Sequence, residues 1–305
     1  MIRFLVILAA WLLAAAPGAA APPEVTIVLA DRGPAYLEAS QAVGQLLGGR
    51  ANVTVTQAEG YERLPPRETA AVVALGTRAL RAVLANGTRA PVIATLIPRS
   101  AFESELKALP PQNNSRGVTA VFLDQPFERQ LNLVRIVAPG KTQVGVLASP
   151  AMQDAVRRIE SAARERGLSV VRETVTGSQG ISAALARLLG ESELLLALPD
   201  PSIFNAGTIH NILLSALRAQ QPLIGFSEAY VRAGALAAVY SKPQQVGHQA
   251  GEIAAQTIAG APLPPPQYPK SFSVSVNPTV ARTLGLAVEG ESSITAKLQR
   301  LEREP

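Results

Sequence analysis

The sequence lacks cysteine altogether and contains only two histidines, His210 and His248. Without cysteine there can be no disulfide, no thiolate nucleophile and no iron–sulfur cluster. Two histidines in 305 residues also argue against a histidine-rich metal site. We therefore expect neither a cofactor nor a metal, and we expect an exported form of this protein to be stabilised by its core rather than by disulfides.

Charged and aromatic residues are scarce, at 17% and 4%, whereas 48% of the residues are hydrophobic. Such a composition provides large cores and argues against disorder. The net charge is +5, but basic and acidic residues alternate along segments such as 157–166. This alternation is typical of solvated helix faces and not of a nucleic-acid-binding surface. The only tryptophan, Trp11, lies near the N-terminus, which argues against a sugar site built on tryptophan stacking.

The first 21 residues have the pattern of a secretory signal peptide. Arg3 is followed by an apolar run from Phe4 to Ala15 and by a zone of small residues that ends near Ala20. We predict that residues 1–20 are a signal peptide, cleaved near Ala20, and that the mature protein is periplasmic. Because the apolar run is short for a membrane span, we expect no stable membrane insertion. The alternative is an uncleaved N-terminal anchor helix.

The remaining chain alternates short apolar segments with helical ones. Strands are predicted at 25–30, 51–57, 70–75, 91–96, 118–122, 143–147, 168–174, 193–198, 222–226, 235–240 and 271–276. Helices are predicted at 35–47, 78–85, 151–166, 180–189, 202–219, 228–233, 243–258, 278–284 and 292–301, with one more that Asp124 or Gln125 caps and that ends at Ala138. Strands that are apolar throughout, each followed by a helix, indicate parallel sheets covered on both faces. Two such units fit the length better than one eight-stranded barrel.

Several short motifs in the second half resemble one known family. They are Leu-Pro-Asp-Pro-Ser at 198–202, Pro-Leu-Ile-Gly-Phe-Ser-Glu at 222–228, Val-Arg-Ala-Gly-Ala-Leu-Ala at 231–237, the stretches 247–255 and 258–262, and Phe-Ser-Val-Ser-Val-Asn at 272–277. In order and spacing they resemble the substrate-binding proteins of ABC transporters, in particular the type I periplasmic-binding group that includes tryptophan- and tyrosine-binding members.

The resemblance implies an α/β fold of two Rossmann-like lobes with parallel sheets, joined by crossing hinge strands and closing on a ligand. The crossings would lie near 121–122, near 239–240 and before Tyr268. Lobe one would comprise residues 23–120 plus 241–263, and lobe two 121–240 plus 264–305. The resemblance also implies a monomeric binding protein, not an enzyme, that delivers a small molecule to the transmembrane subunits of an ABC permease.

In open α/β sheets, ligands bind beyond the carboxyl ends of the strands. That rule selects the candidate ligand-binding residues, which are Asp31, Arg32, Tyr36, Gly76, Thr77, Pro98, Arg99, Ser149, Pro199, Asp200, Ser202, Phe204, Asn205, Ser227, Glu228 and Tyr230.

The candidate residues suit a small zwitterion such as an amino acid. Helix N-termini at Thr77 and Ser149 could bind its carboxylate, and Asp200 or Glu228 its ammonium group. The aromatic rings of Tyr36, Phe204 and Tyr230 could cover an apolar body. The alternative for Asp200 and Ser202 is that they only cap the next helix, and the alternative for Phe204 is packing in the core.

Two other functions remain open at this point. The segment 225–229 nearly matches the G-x-S-x-G nucleophile elbow of serine hydrolases, with Ser227 at its centre, but it lacks the second glycine, and His248 lies in a predicted helix. The same two-lobed fold could also sense a ligand and signal to a membrane partner instead of a permease.

Overall fold

The computed structural model describes residues 21–66, 68–108, 117–177 and 180–303, so the predicted signal peptide lies outside the described residues. The described part of the chain forms two sheets, of five and six strands, each covered by helices. The predicted α/β fold is therefore confirmed.

The first sheet is entirely parallel and has the order β2-β1-β3-β4-β5. Its strands are β1 (Glu24–Leu29), β2 (Asn52–Gln57), β3 (Ala71–Leu75), β4 (Val92–Ile97) and β5 (Val118–Phe122). Helices α2 (Thr77–Asn86) and α3 (Arg99–Lys107) pack on one face, and α1 (Pro34–Leu47) and α9 (Pro243–Ile258) on the other. Because β3 and β4 are buried on both faces, they are apolar at nearly every position.

The second sheet has the order β11-β10-β9-β8-β6-β7, and only β11 runs antiparallel to its neighbour. Its strands are β6 (Gln143–Ala148), β7 (Ser169–Thr174), β8 (Leu194–Leu196), β9 (Leu223–Gly225), β10 (Ala237–Tyr240) and β11 (Ser273–Val276). Helices α4 (Phe127–Val137), α5 (Gln153–Arg164), α10 (Pro278–Thr283) and α11 (Glu291–Leu301) contribute to the core on one face, and α6 (Ile181–Glu191) and α7 (Ile209–Arg218) to that on the other. The short helix α8 (Glu228–Ala233) follows β9.

The chain passes between the two sheets three times: from β5 to α4, from β10 to α9, and from α9 to β11. On the third passage Gln267 pairs with the end of β5, where its N–H donates to the Ala120 carbonyl at 2.8 Å. Helix α9 thus belongs to the first unit although it follows five of the six strands of the second. Gly247 allows this packing, because a Cβ atom there would lie 2.5 Å from the Ala39 carbonyl oxygen of α1.

Two local features differ from the predicted pattern. Helix α3 was not predicted, because its segment has a single fully buried apolar residue, Phe102, and so lacks a clear apolar stripe. The predicted helix 202–219 begins only at Ile209. Residues 201–207 instead form turns, since Asp200 accepts hydrogen bonds from Ser202 and Asn205 accepts one from the Gly207 N–H.

Candidate functional site

A cavity of about 180 Å³ lies where the two units meet. Its walls come from the ends of β4, β9 and β10, from the loop after β8, and from the β5–α4 crossing. The lining residues are Pro98, Leu123, Asp124, Gln125, Gln130, Pro199, Phe226, Ser227, Val239, Tyr240 and Ser241. This interlobe cavity is at the carboxyl ends of parallel strands, where α/β proteins bind ligands. A wider groove of about 990 Å³ lies at the opposite ends of β1, β3 and β4, near Glu24 and Pro91.

Among the described residues, Asp124 is the only acidic one that lines the interlobe cavity. Its Oδ2 atom accepts a hydrogen bond from the Arg99 N–H at 2.5 Å, so it caps α3, which belongs to the other unit. Burial raises the pKa of Asp124 to about 6, although that N–H and the nearby charges of Arg158 and Arg99 act in the opposite direction. The sequence predicted Asp124 or Gln125 as a cap of α4, and that prediction was wrong. The N-cap of α4 is Pro126, which has no side-chain donor or acceptor.

A network of hydrogen bonds connects the cavity wall to all three crossing segments. The Gln125 amide donates to Ser241 Oγ at 2.9 Å, and the Ser241 hydroxyl donates to the Ser271 carbonyl at 2.7 Å. Gln130, on the first turn of α4, donates from Nε2 to the Gln125 carbonyl at 3.0 Å. The cavity wall is therefore part of the connection between the two units.

An irregularity in β4 brings α3 to the cavity. Leu96 has φ +53°, in the left-handed region that a leucine seldom adopts, and the pairing with β5 shifts register between Thr95 and Ile97. Such bulges redirect the end of a strand. Here the strand continues into Pro98, which lines the cavity, and into the Arg99 N–H that Asp124 binds.

Two predicted residues of the first unit, Asp31 and Gly76, lie close to Tyr36. The Gly76 backbone passes so close that a Cβ atom there would lie 2.8 Å from the Tyr36 ring, and Gly76 has φ +95°. Burial, and secondarily the charge of Asp31, raises the pKa of Tyr36. Asp31 itself accepts a hydrogen bond from the Gly33 N–H at 2.6 Å, and Arg32 is exposed. Thr77 begins α2.

Arg99 lies beside the interlobe cavity, but its guanidinium group is hydrogen-bonded to other residues. Nε donates to Glu103 at 2.7 Å and Nη1 to the Tyr268 hydroxyl at 3.2 Å. The group also lies 5.8 Å from the ring centres of Phe122 and Tyr268. These contacts orient the cation towards the third crossing segment.

In the second unit, Ser149, Asp200 and Ser202 come together. Asp200 is only 3% exposed, and its carboxylate accepts from the Ser149 N–H at 2.8 Å, the Ser202 N–H at 3.1 Å and the Ser202 hydroxyl at 2.6 Å. Burial opposes ionisation, yet the hydrogen bonds from Ser202 and Ser149 lower the pKa of Asp200 below its usual value. The carboxylate therefore connects the loops after β6 and β8.

The aromatic candidates of the second unit contact one another. Phe204 is buried and packs edge-on against Phe226, with ring centres 6.5 Å apart. The Tyr230 hydroxyl donates to the Phe204 carbonyl at 3.0 Å, its ring lies 4.3 Å from that of Phe226, and burial raises its pKa. Asn205 is exposed and donates to the Pro201 carbonyl.

The two remaining candidates, Ser227 and Glu228, begin α8. Ser227 lines the cavity, and its side chain makes no capping hydrogen bond. Glu228 is exposed and pairs with Arg232 at 3.0 Å. His248, which the hydrolase alternative requires, is exposed on α9 and lies 3.5 Å from Glu252.

The strand-end rule selected three cavity residues, Pro98, Pro199 and Ser227, and missed all the others. One missed residue, Phe226, follows β9. The others belong to the crossing segments or their flanks, and are Leu123, Asp124, Gln125, Gln130, Val239, Tyr240 and Ser241. The predicted crossings near 121–122 and 239–240 could have identified the missed residues of the crossing segments. Residues that follow a crossing strand lie between the lobes.

The described residues contain neither a candidate metal site nor a candidate membrane span. No group of three or more histidine, cysteine, aspartate or glutamate side chains there is arranged to hold a metal ion. No helix in the same residues has both the length and the apolarity that a membrane span requires.

Comparison with known proteins decides the family. The model of the family described as ABC transporter substrate binding protein matches residues 55–298. This chain belongs to that family. The resemblance stated from the sequence is therefore confirmed. Proteins of this family and fold are in general binding proteins without enzymatic activity. Members of the family are typically extracellular or periplasmic.

Individual relatives are distant. A tyrosine-binding protein of Clostridioides difficile is 22% identical over 192 residues, which are 62% of this chain and 54% of that protein. The match thus spans about half the length of this curated relative. The ligand-free, open structure of a substrate-binding protein with adhesive properties from Clostridium difficile has a TM-score of 0.69 at 18% identity, over 88% of this chain and 96% of that one. The complex of an ABC domain from Streptococcus pneumonia with L-Trp has a TM-score of 0.62 at 18% identity, over 89% and 98%. These structures confirm the type I periplasmic-binding fold.

Proposed function

We propose that this protein captures a small ligand between its two units and delivers it to the transmembrane subunits of an ABC permease. The observation that carries the proposal is the interlobe cavity, which residues from both sheets and from the crossing segments line together. Because the ligand would contact both units, its binding energy favours the closed arrangement over the open one. The bodies that close would be residues 23–120 with 241–263, and 121–240 with 264–305.

The ligand class that we propose is an amino acid or a similar zwitterion, with an aromatic side chain preferred. Apolar side chains such as Phe226, Val239 and Tyr240 form much of the cavity wall, and Asp124 supplies an acceptor. A volume of about 180 Å³ corresponds to roughly six water molecules, which suits a small molecule. Relatives named for tyrosine binding and solved with L-Trp support the same class.

The remaining features of the proposal follow from the sequence. The protein would be exported by the predicted signal peptide, cleaved near Ala20, and would act in the periplasm as a monomer. It would have no enzymatic activity. In support, His248 pairs with Glu252 on the surface of α9, whereas Ser227 lies at the interlobe cavity without a histidine among the lining residues. A serine hydrolase needs the two side chains within hydrogen-bonding distance.

A thermal-shift panel tests the proposal. The purified protein is melted with each of the twenty L-amino acids, with D-ribose as a ligand from another class. We expect one or a few amino acids to stabilise the fold by about 3 kcal/mol at a hundredfold excess over Kd, without turnover of the ligand. Stabilisation by ribose alone would contradict the ligand class. No stabilisation by any compound, together with no small molecule in the mass spectrum of the purified protein, would contradict solute binding itself.

A further inference from the structure

Gln130 lines the interlobe cavity and has a buried acceptor without a partner in the described residues. The residue is 4% exposed and its Nε2 atom donates to the Gln125 carbonyl at 3.0 Å. This hydrogen bond determines the orientation of the amide, since the reverse orientation would place two oxygens against each other. The Oε1 atom is buried and has no hydrogen-bond partner among the described residues. A buried acceptor without a partner is costly, so it is a position where a ligand donor is favourable.

Asp124 provides a second acceptor beside Gln130. Its carboxylate uses Oδ2 for the Arg99 N–H, and Oδ1 has no hydrogen bond within the described chain. Three charged groups influence it: Arg99 and Glu103 of α3, and Arg158 of α5. Neither arginine forms an ion pair with Asp124 within 4 Å, since Arg99 pairs with Glu103 and Arg158 is in no ion pair of the described residues. The Asp124 charge is thus incompletely compensated.

Two cations influence the Asp124 carboxylate, Arg158 of α5 and Arg99 of α3. The Arg99 guanidinium donates to Glu103 and Tyr268. Arg158 has a buried Nε atom without a hydrogen-bond partner in the described residues, but it does not line the cavity. Apart from Gln125, Ser227 and Ser241, the remaining wall consists mainly of apolar side chains, including Leu123, Phe226 and Val239. A carboxylate and an unpaired amide oxygen against an apolar wall form an environment for a cation with an apolar body.

We infer that Asp124 and Gln130 bind the protonated amine of the ligand, with the Asp124 carboxylate as the charged partner and Gln130 Oε1 as a second acceptor. The inference rests on the proposed function and deepens it, because it names the chemical group that the site selects. It also moves the ammonium site from Asp200, whose oxygens bind Ser149 and Ser202, to the β5–α4 crossing. The competing explanation is that Asp124 serves only as the cap of α3.

Paired probes separate these explanations. Calorimetry measures the binding of L-tyrosine and L-tryptophan, and of 3-(4-hydroxyphenyl)propionate and indole-3-propionate, which lack the amine. In the wild type we expect each amino acid to bind about 10- to 100-fold more tightly than its desamino analogue. Asp124→Asn keeps an oxygen that can accept from the Arg99 N–H and removes the charge. It should abolish most of that preference while leaving the desamino analogue bound as before.

Two further variants complete the design. Gln130→Leu removes the unpaired acceptor and should weaken only the amino acids, by about tenfold. Glu103→Gln is the matched control, because it removes a carboxylate of α3 that lies near Asp124 but does not line the cavity, and it should change neither class of probe by more than about twofold. Thermal melts of all variants confirm folding, and Asp124→Asn should melt at or above the wild-type temperature because the ionised carboxylate is costly to bury.

The pH dependence provides an independent readout. Protonation of Asp124 removes its charge, so the wild-type affinity for the amino acids should fall as the pH is lowered from about 7.5 to about 5, through the pKa of about 6. Asp124→Asn should show a flat profile. Equal affinity for amino acids and desamino analogues in the wild type, or an unchanged preference in Asp124→Asn, would overturn the inference and leave solute binding intact. Binding of none of the four probes would overturn both the inference and the proposed aromatic ligand.

Discussion

At the scale of single residues, two aspartates at strand ends differ in where their hydrogen bonds go. Asp200 accepts three hydrogen bonds from Ser149 and Ser202, and its pKa is lowered. Asp124 accepts one, from the Arg99 N–H, and burial raises its pKa to about 6. The hydrogen bonds of Asp200 stabilise its ionised form and the loops around it. At Asp124, by contrast, burial makes the ionised carboxylate energetically unfavourable. Costly charges in clefts are typical of functional sites.

Asp200→Asn should therefore destabilise the protein at neutral pH, by about 1–3 kcal/mol, because it removes charge-assisted hydrogen bonds from a buried position. The folded-state pKa of Asp200 is depressed, so its contribution is present above the pKa of the unfolded state and is lost as the pH falls through the folded value. Urea denaturation should show the difference at pH 7, and the difference should shrink below about pH 4.

Glu228→Gln is the control for this experiment. Glu228 also follows a strand end, but it is exposed and pairs only with Arg232, so its replacement should change the free energy of unfolding by less than about 0.5 kcal/mol. An Asp200→Asn variant as stable as Glu228→Gln at neutral pH would show that the buried hydrogen bonds are not stabilising.

At the scale of elements, the C-terminal helix is connected to the crossing segments through Arg129. This residue of α4 is 5% exposed and binds Glu302, just after α11, through both Nε and Nη2. Its Nη1 atom donates to Gln125 Oε1 at 2.6 Å and to the Pro269 carbonyl at 3.0 Å, and its guanidinium lies 4.1 Å from the Phe272 ring centre. One buried cation thus connects the first crossing, the third crossing and α11.

Glu302→Gln should cost about 2–3 kcal/mol of unfolding free energy, because it leaves a buried guanidinium without its anionic partner. The matched control is Glu289→Gln, which removes an exposed carboxylate paired with Lys297 and should cost less than about 1 kcal/mol. Urea denaturation of the two variants measures the difference. Equal costs would indicate that Arg129 is held by Gln125, Pro269 and Phe272 alone.

At the scale of the whole molecule, three crossing segments join two separately cored units with a small cavity between them. Such a connection allows rotation of the units while each core stays intact. A ligand that contacts both units shifts the population towards the closed arrangement. The size of the shift is set by the difference between its affinities for the closed and the open arrangement.

Small-angle X-ray scattering can measure this shift. A compact chain of this length has a radius of gyration of about 19 Å. We expect the free protein to exceed this value, and the radius to decrease when the amino acid that gives the largest thermal shift is added. Asp124→Asn, at the same ligand concentration, should show a smaller decrease. A radius that is identical with and without saturating ligand would contradict closure.

The alternation of strands and helices was predictable because it depends on local patterns. Strands β3, β4 and β6 are nearly continuous apolar runs, and α8 and α9 begin and end at the predicted residues. Helix α3 was not predictable in the same way, since it has little apolar surface and its N-terminal cap comes from Asp124, 25 residues further along the chain. The turns after Asp200 depend on side-chain hydrogen bonds that compete with helix formation.

The amino-acid sequence by itself determined the class of fold, the order of the elements and the family, because hydrophobic periodicity and motif spacing are local properties of the chain. Only the tertiary structure decided which polar groups face the cavity. Asp124 and Gln130 look like ordinary residues at the start of a helix until β5, β10 and the bulge at Leu96 bring the two units together around them. Strand-end position is encoded locally, whereas the approach of two separately folded units is a long-range packing outcome.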